Sequence, residues 1–167
     1  MNTLTNVLDV NDDPILLAWA LEFGGYFMAD GCLYLSRHYY TKGGRWMYQP
    51  QARINQRADS RPLLETIQAK LGGHIRDYKG VPGSAKGKVY QCNPTSCWTT
   101  SSHECMERVL GLLDYLVLPH AKLAQAGVMR EYLDYRSQFG QRHGDEARDR
   151  IHQFWQELRE LKRYSSE

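Results

Sequence analysis

The run Phe23-Gly24-Gly25-Tyr26-Phe27-Met28-Ala29-Asp30-Gly31 sets two glycines inside an apolar helix and an aspartate at its exit. Each placement carries a cost. A glycine in a helix interior loses roughly 1 kcal/mol against alanine. A carboxylate at a helix C-terminus faces the negative end of the macrodipole, an unfavourable contribution of roughly 0.3–1 kcal/mol. Missing side chains let another backbone approach closely. A carboxylate gathered with helix-end carbonyls suits a hard cation with oxygen ligands. A buried helix with an incidental glycine-rich end is the plainer alternative, and the stretch by itself leaves both open.

Around this stretch the helix is easily bounded. Asp12 or Asp13 caps it, Pro14 stands near its first position, and Gly31 is the residue after its end. Leu16, Leu17, Trp19, Ala20, Phe23 and Phe27 make it apolar almost all round, which predicts a buried helix.

The chain's 167 residues suffice for one domain with a proper core. No apolar stretch reaches membrane-spanning length, and an N-terminus with Asp9, Asp12 and Asp13 but no early Lys or Arg is unlike a signal or transit peptide. A soluble, intracellular or organellar (chloroplast or mitochondrial) protein is expected, not a secreted one, with no membrane partner and no small-molecule substrate. Cys32, Cys92, Cys97 and Cys105 suit a reducing compartment, and their spacing with His103 matches no standard zinc site.

A net charge of +2 conceals an asymmetry: between Arg37 and Lys88 eleven Lys and Arg meet three acids, a net +8 that leaves −6 for the remainder. Tyrosines, Trp46, asparagine and glutamines interleave with these basic residues, the composition of a nucleic-acid surface.

Beyond Gly31, Cys32 to Tyr40 alternates as a strand, with Leu33 and Leu35 on one face and Tyr34, Ser36, His38 and Tyr40 on the other. Thr41-Lys42-Gly43-Gly44 turns the chain. Trp46 to Arg57 returns with Ala52 and Ile54 coreward and Gln49, Gln51 and Arg53 opposite. Ser60 or Asp59 caps a second helix with Pro62 in its first turn, and Gly72-Gly73 ends it. His74 to Lys79 is a short strand, with Arg76 and Tyr78 outward or at the edge. Gly80 to Gly87 is a flexible connection, and Lys88 to Thr100 is a fourth extended segment broken at Asn93-Pro94. A capping box at Ser101-x-x-Glu104 opens a third helix through Leu116. Two more helices follow, about Ala121 to Phe139 and Asp145 to Tyr164.

The Phe23–Gly31 motif followed by this order resembles the LAGLIDADG homing endonucleases. The third-position Gly25, eighth-position Asp30 and final Gly31 match that signature, while Phe23-Gly24 replaces its usual first pair and Met28 replaces its sixth-position acid. Ile54-Asn55-Gln56-Arg57 resembles the strand end where the family often places a glutamine. Leu118-Pro119-His120-Ala121-Lys122-Leu123-Ala124-Gln125-Ala126 resembles a contracted form of its Pro-His-Leu…Lys…Gln-Ala segment. The resemblance implies an α+β fold, α-β-β-α-β-β-α plus C-terminal helices, with a four-stranded antiparallel saddle that binds DNA. Residues 1–13 would be an N-terminal extension, 14–136 the endonuclease core, and 137–167 a C-terminal turn and helix. A single motif implies the homodimeric branch, with Phe23, Gly24, Gly25 and Phe27 at the dimer seam.

The resemblance further implies a site-specific endonuclease that cuts double-stranded DNA at a long pseudo-palindromic target, leaving short 3′ overhangs. Asp30 and Ala29 would hold Mg²⁺, for which Mn²⁺ would substitute. Gln56 would position the water and Lys122 would stabilise the transition state, with Arg57 and Arg61 as outer members of the pocket. Tyr34, Ser36, His38, Tyr40, Gln49, Gln51, Arg53, Arg76 and Tyr78 are candidates for base edges, and Arg and Gln suit bidentate readout. Lys42, Arg45, Lys79, Lys86 and Lys88 suit phosphates, as more weakly do Arg142 and His143. An RNA maturase on the same fold and a DNA-binding protein without cleavage remain the alternatives.

Overall fold

The structure, a computed structural model, describes residues 14–80, 82–85, 88–138 and 145–164. Helix α1 (Pro14–Asp30) runs directly into strand β1 (Gly31–Tyr40), which a 3₁₀ turn (Thr41–Gly43) joins to β2 (Arg45–Arg57). Helix α2 (Arg61–Leu71), β3 (His74–Tyr78), β4 (Pro82–Ala85), β5 (Lys88–Gln91) and β6 (Thr95–Thr100) follow. Three helices complete the chain: α3 (His103–Leu113), α4 (His120–Gln138) and α5 (Asp145–Tyr164). The main sheet is antiparallel in the order β1-β2-β6-β3, and β4 and β5 form a separate two-stranded hairpin.

This is the expected α+β architecture with two refinements. Lys88–Thr100 is two strands, because Asn93-Pro94 interrupts it and proline supplies no ladder N–H. Pro82–Ala85 pairs with β5 rather than forming a featureless connection. The capping box also shifts by one residue. Ser102, not Ser101, caps α3: its extended backbone (φ −73°, ψ 146°) lets the hydroxyl accept from the Cys105 N–H at 3.2 Å. The expected caps Asp12 and Asp13, and the whole of 1–13, lie outside the described residues, as do Lys86, Arg142 and His143.

One face of the sheet is coreward. Register places Leu33, Leu35, Ala52, Ile54, Trp98 and Thr100 on it, and all are buried. Against them lie Phe23 and Phe27 of α1, Leu64 and Ile67 of α2, Met106 and Val109 of α3, Met129 and Tyr132 of α4, and Phe154 and Leu158 of α5, all in one cluster. Full burial of a side chain such as Ile67 contributes roughly 1.5–3 kcal/mol. The tail helix α5 therefore completes the core. It also braces the β1–β2 hairpin, where Trp155 and Trp46 hold the Arg37 guanidinium between them at 4.1 and 4.2 Å.

At the end of α2, Gly72 and Gly73 both adopt positive φ, 77° and 93°. A Cβ on Gly73 would come within 2.6 Å of the Thr99 carbonyl oxygen and 2.8 Å of Trp98 Nε1. Gly73→Ala is expected to destabilise the fold by roughly 1–3 kcal/mol, from backbone strain alone or more with the overlap. A lowered urea midpoint at unchanged m checks it.

Candidate nucleic-acid and catalytic site

The helix-to-strand junction has no connecting residue, since α1 ends at Asp30 and β1 begins at Gly31. A Cβ at Gly31 would come within 2.5 Å of the Phe27 carbonyl oxygen and 2.6 Å of its ring. Close approach, not positive φ, therefore requires glycine at this point.

Three candidates from distant parts of the chain meet here. Gln56, at the end of β2, donates Nε2–H to Asp30 Oδ2 at 2.8 Å. Lys122, in the first turn of α4, donates Nζ–H to the Gly31 carbonyl oxygen and lies 5.6 Å from the Phe27 ring. Burial holds the Lys122 amine below its usual pKa; Cys32 and Asp30 pull it back up and Lys162 lowers it. Asp30 and Ala29 are exposed, so the carboxylate at the foot of α1 is open to a ligand.

The outward face of the sheet carries the remaining candidates as alternation requires. Tyr34, Ser36, His38 and Tyr40 stand opposite Gln51, Gln49, Met47 and Arg45, and Arg53 leads across β6 to β3. Arg76 and Tyr78 share this face and are exposed. Many of these polar groups are already oriented. Tyr34 Oη donates to Gln51 Oε1, Gln51 Nε2 donates to Ser36 Oγ at 3.2 Å, and Arg53 Nε donates to Asn55 Oδ1 at 2.9 Å. Burial pushes the Tyr34 phenol up, which keeps it a hydroxyl donor. Lys42 is exposed in the hairpin turn, Lys79 just past β3, and Lys88 lies on β5.

Several expectations need correction. Phe23 and Phe27 are each 1% exposed, and Gly24 is buried against the Leu116 side chain of its own chain. These three belong to the monomer's core rather than to a seam. The exposed face of α1 is instead Leu17, Leu21 and Gly25, where a Cβ on Gly25 meets nothing within 4 Å. An apolar helix exposed on one face is thus only half covered by its own chain.

Arg61 is not an open pocket residue either. Its guanidinium pairs with Glu65 at 2.9 Å and with Asp77, so its charge is answered locally. Arg57 pairs with Asp59 at 3.2 Å across exposed side chains. Arg45 has its Nε buried without a hydrogen-bond partner, and it lines a recess of about 30 Å³ with Trp46, Tyr48, Arg136 and Arg148. It is therefore less free than a hairpin-tip cation would be. Cys97 is buried, and burial pushes its thiol pKa up. Among the described residues no three His, Cys, Asp or Glu gather as a metal-holding group, and no helix is long and apolar enough to cross a membrane.

Sequence reading missed Asn55, His74, Thr95 and Thr99 on the outward face, though strand alternation from Arg53 and from Arg76 would have found Asn55 and His74. It also missed Lys162 of α5, whose Nζ lies 5.8 Å from the Tyr34 ring, because only the tertiary fold brings them together.

Hydrogen bonds from Ser96 and Arg61 hold the Asp77 carboxyl below its usual value. A depressed carboxyl stabilises the fold above its unfolded-state pKa, and that contribution is lost as pH falls through the folded value. The stability gap between wild type and Asp77→Asn, read from urea midpoints, should therefore narrow on acidification below about pH 4.

No family model matches the sequence, and no match is found among curated proteins. Solved structures do match its fold. The homing endonuclease I-TnaI is 18% identical with a TM-score of 0.63, over 86% of this chain and 93% of that one. The homing endonuclease I-CvuI, solved with its target in the presence of calcium, is 18% identical with a TM-score of 0.63, over 87% and 82%. The LAGLIDADG homing endonuclease I-GzeII, solved with its DNA target, is 16% identical with a TM-score of 0.59, over 82% of this chain but 43% of that one. The chain has the fold of the LAGLIDADG homing endonucleases.

Proposed function

We propose that this chain is a divalent-metal-dependent endonuclease that cuts duplex DNA at a long, pseudo-palindromic site as a homodimer. The observation that carries this reading is the meeting of Asp30, Gln56 and Lys122 at one end of a polar, basic sheet face. The DNA targets and calcium of the structural neighbours support it.

The residues present suit a hard cation. Asp30 offers an exposed carboxylate and Ala29 a helix-end carbonyl, both oxygen donors. One protomer supplies too few ligands to close the site, so phosphate oxygens, water and a second Asp30 would complete it. Mg²⁺ is the ion we favour, with Mn²⁺ as substitute. When bound, such an ion lowers the pKa of water and neutralises charge at the phosphate.

The chain's own groups do the rest. Gln56 spends its N–H on Asp30, which fixes the carboxylate and leaves Oε1 as an acceptor for a water proton. Lys122, half-buried, places an ammonium where screening is reduced and negative charge would build on the phosphate. The outward face would lie in the major groove, with Arg53, Arg76, Gln49 and Gln51 reading base edges. Lys42, Lys79, Lys86 and Lys88 would contact phosphates. Two such faces related by a two-fold axis would read two half-sites.

Incubated with a randomised duplex library and Mg²⁺, the wild type is expected to cut a defined sequence and Asp30→Asn to cut none while still binding. Gln56→Ala should slow cutting about 10–100-fold, as loss of a group that orients a metal ligand does. Binding of structured RNA with no cutting of any duplex would overturn the reading.

Dimerisation would use the exposed face of α1. Gly25→Leu adds bulk where the monomer has room, so it should shift the sedimentation coefficient from dimer to monomer while the circular dichroism of the folded chain is kept. A dimer that survives Gly25→Leu would place the seam elsewhere.

A further inference from the structure

Helix α5 follows the sheet-edge strand β1 from the hairpin to the Asp30 end. Its second turn meets β2 where His152 Nδ1 lies 2.7 Å from Tyr48 Oη, and Trp155 then covers Arg37 of β1. Two turns further on, Lys162 Nζ lies 5.8 Å from the centroid of the Tyr34 ring, four residues past Asp30. The helix thus runs against the direction of β1 and delivers its last turn to the end of the sheet where Asp30, Gln56 and Lys122 converge.

Two features of this placement point to a ligand. Tyr34 belongs to the outward face, and its hydroxyl is fixed on Gln51, so the ring is a set platform for the ammonium. Lys122 Nζ reaches the Gly31 carbonyl oxygen, three residues before Tyr34 on the same strand. Two ammonium groups from separate helices therefore flank the first residues of β1. A cation in the last turn of a helix is favoured by the macrodipole. That favours Lys162 anywhere on the turn, but not its position over the outward face beside a second amine. Two lysines that reach the same edge of a polar face suit a shared phosphate, which a lysine serves as a compact point charge.

We propose that Lys162 grips a backbone phosphate of the bound duplex at the β1 edge, beside Lys122 and the foot of α1. The proposal rests on the DNA-binding half of the function proposed above and is independent of cleavage. It gives the C-terminal helix a direct part in binding as well as in the core. The contact is to the backbone, so it adds affinity at every sequence and specifies none.

The test measures binding of a random-sequence duplex by fluorescence anisotropy across a series of salt concentrations. Wild type, Lys162→Ala, Lys162→Gln, Lys162→Arg and Lys70→Ala are compared. Lys70 is a control on a different helix, α2, with its Nζ 5.1 Å from the Trp19 ring. Loss of one phosphate contact per protomer, two per dimer, lowers the slope of log K against log salt by about 1.8. Lys162→Ala and Lys162→Gln should both show this loss, equally for unrelated duplexes; the glutamine keeps the aliphatic stem over Tyr34 and guards against a packing defect. Lys162→Arg should restore the slope, and Lys70→Ala should match wild type. A wild-type slope in Lys162→Ala and Lys162→Gln, or a loss that Lys162→Arg fails to restore, would overturn the proposal while leaving the endonuclease reading intact. A wild-type protein that binds no duplex would overturn both.

Discussion

The direct passage from α1 into β1 is the constraint on which the rest of this structure depends. With no residue between Asp30 and Gly31, the helix end is fused to the edge of the sheet, and glycine is needed because any Cβ would strike the Phe27 carbonyl. Two contacts then lock the junction from either side: Gln56 on the Asp30 carboxylate and Lys122 on the Gly31 carbonyl. Each comes from a different element, so the sheet, α4 and α1 must all be in place before the three groups meet. The costly aspartate at the C-terminus of α1 is thereby held in a defined position by hydrogen bonding and left exposed.

The same fold separates stability from function by face. Coreward residues of the four-stranded sheet share one cluster with five helices, whereas the outward face keeps hydroxyl, amide and guanidinium groups in a preset network. Helix α1 belongs to both worlds. Its Trp19, Phe23, Gly24 and Phe27 side is sealed within the chain, and its Leu17, Leu21 and Gly25 side is open. Isolated exposed leucines are ordinary; a row of them along one side of a helix ending in an exposed carboxylate is the geometry a two-fold partner would use.

Much of this was legible from residues alone. Alternation in 32–40 and 46–57 placed the core and outward faces correctly, and Asn93-Pro94 marked a real break in pairing. Asp30, Gln56 and Lys122 came from motif likeness and do converge. The side of α1 that faces inward was not legible, because a helix apolar all round has no periodicity to reveal it. Gly24 and Gly25 are adjacent and identical in type, yet one packs on Leu116 and the other on nothing. Arg61 read as an available cation because Asp77 lies sixteen residues away and meets it only in the folded chain. Lys162 was invisible for the same reason.

The central claim is that Asp30 is a metal ligand on a DNA-facing surface. The most direct measurement is Mn²⁺ binding, followed by electron paramagnetic resonance, with duplex DNA present, for wild type and for Asp30→Asn. The account predicts that wild type with DNA withdraws Mn²⁺ from the free signal and that Asp30→Asn with the same DNA does not. Equal Mn²⁺ uptake by the two proteins would contradict it.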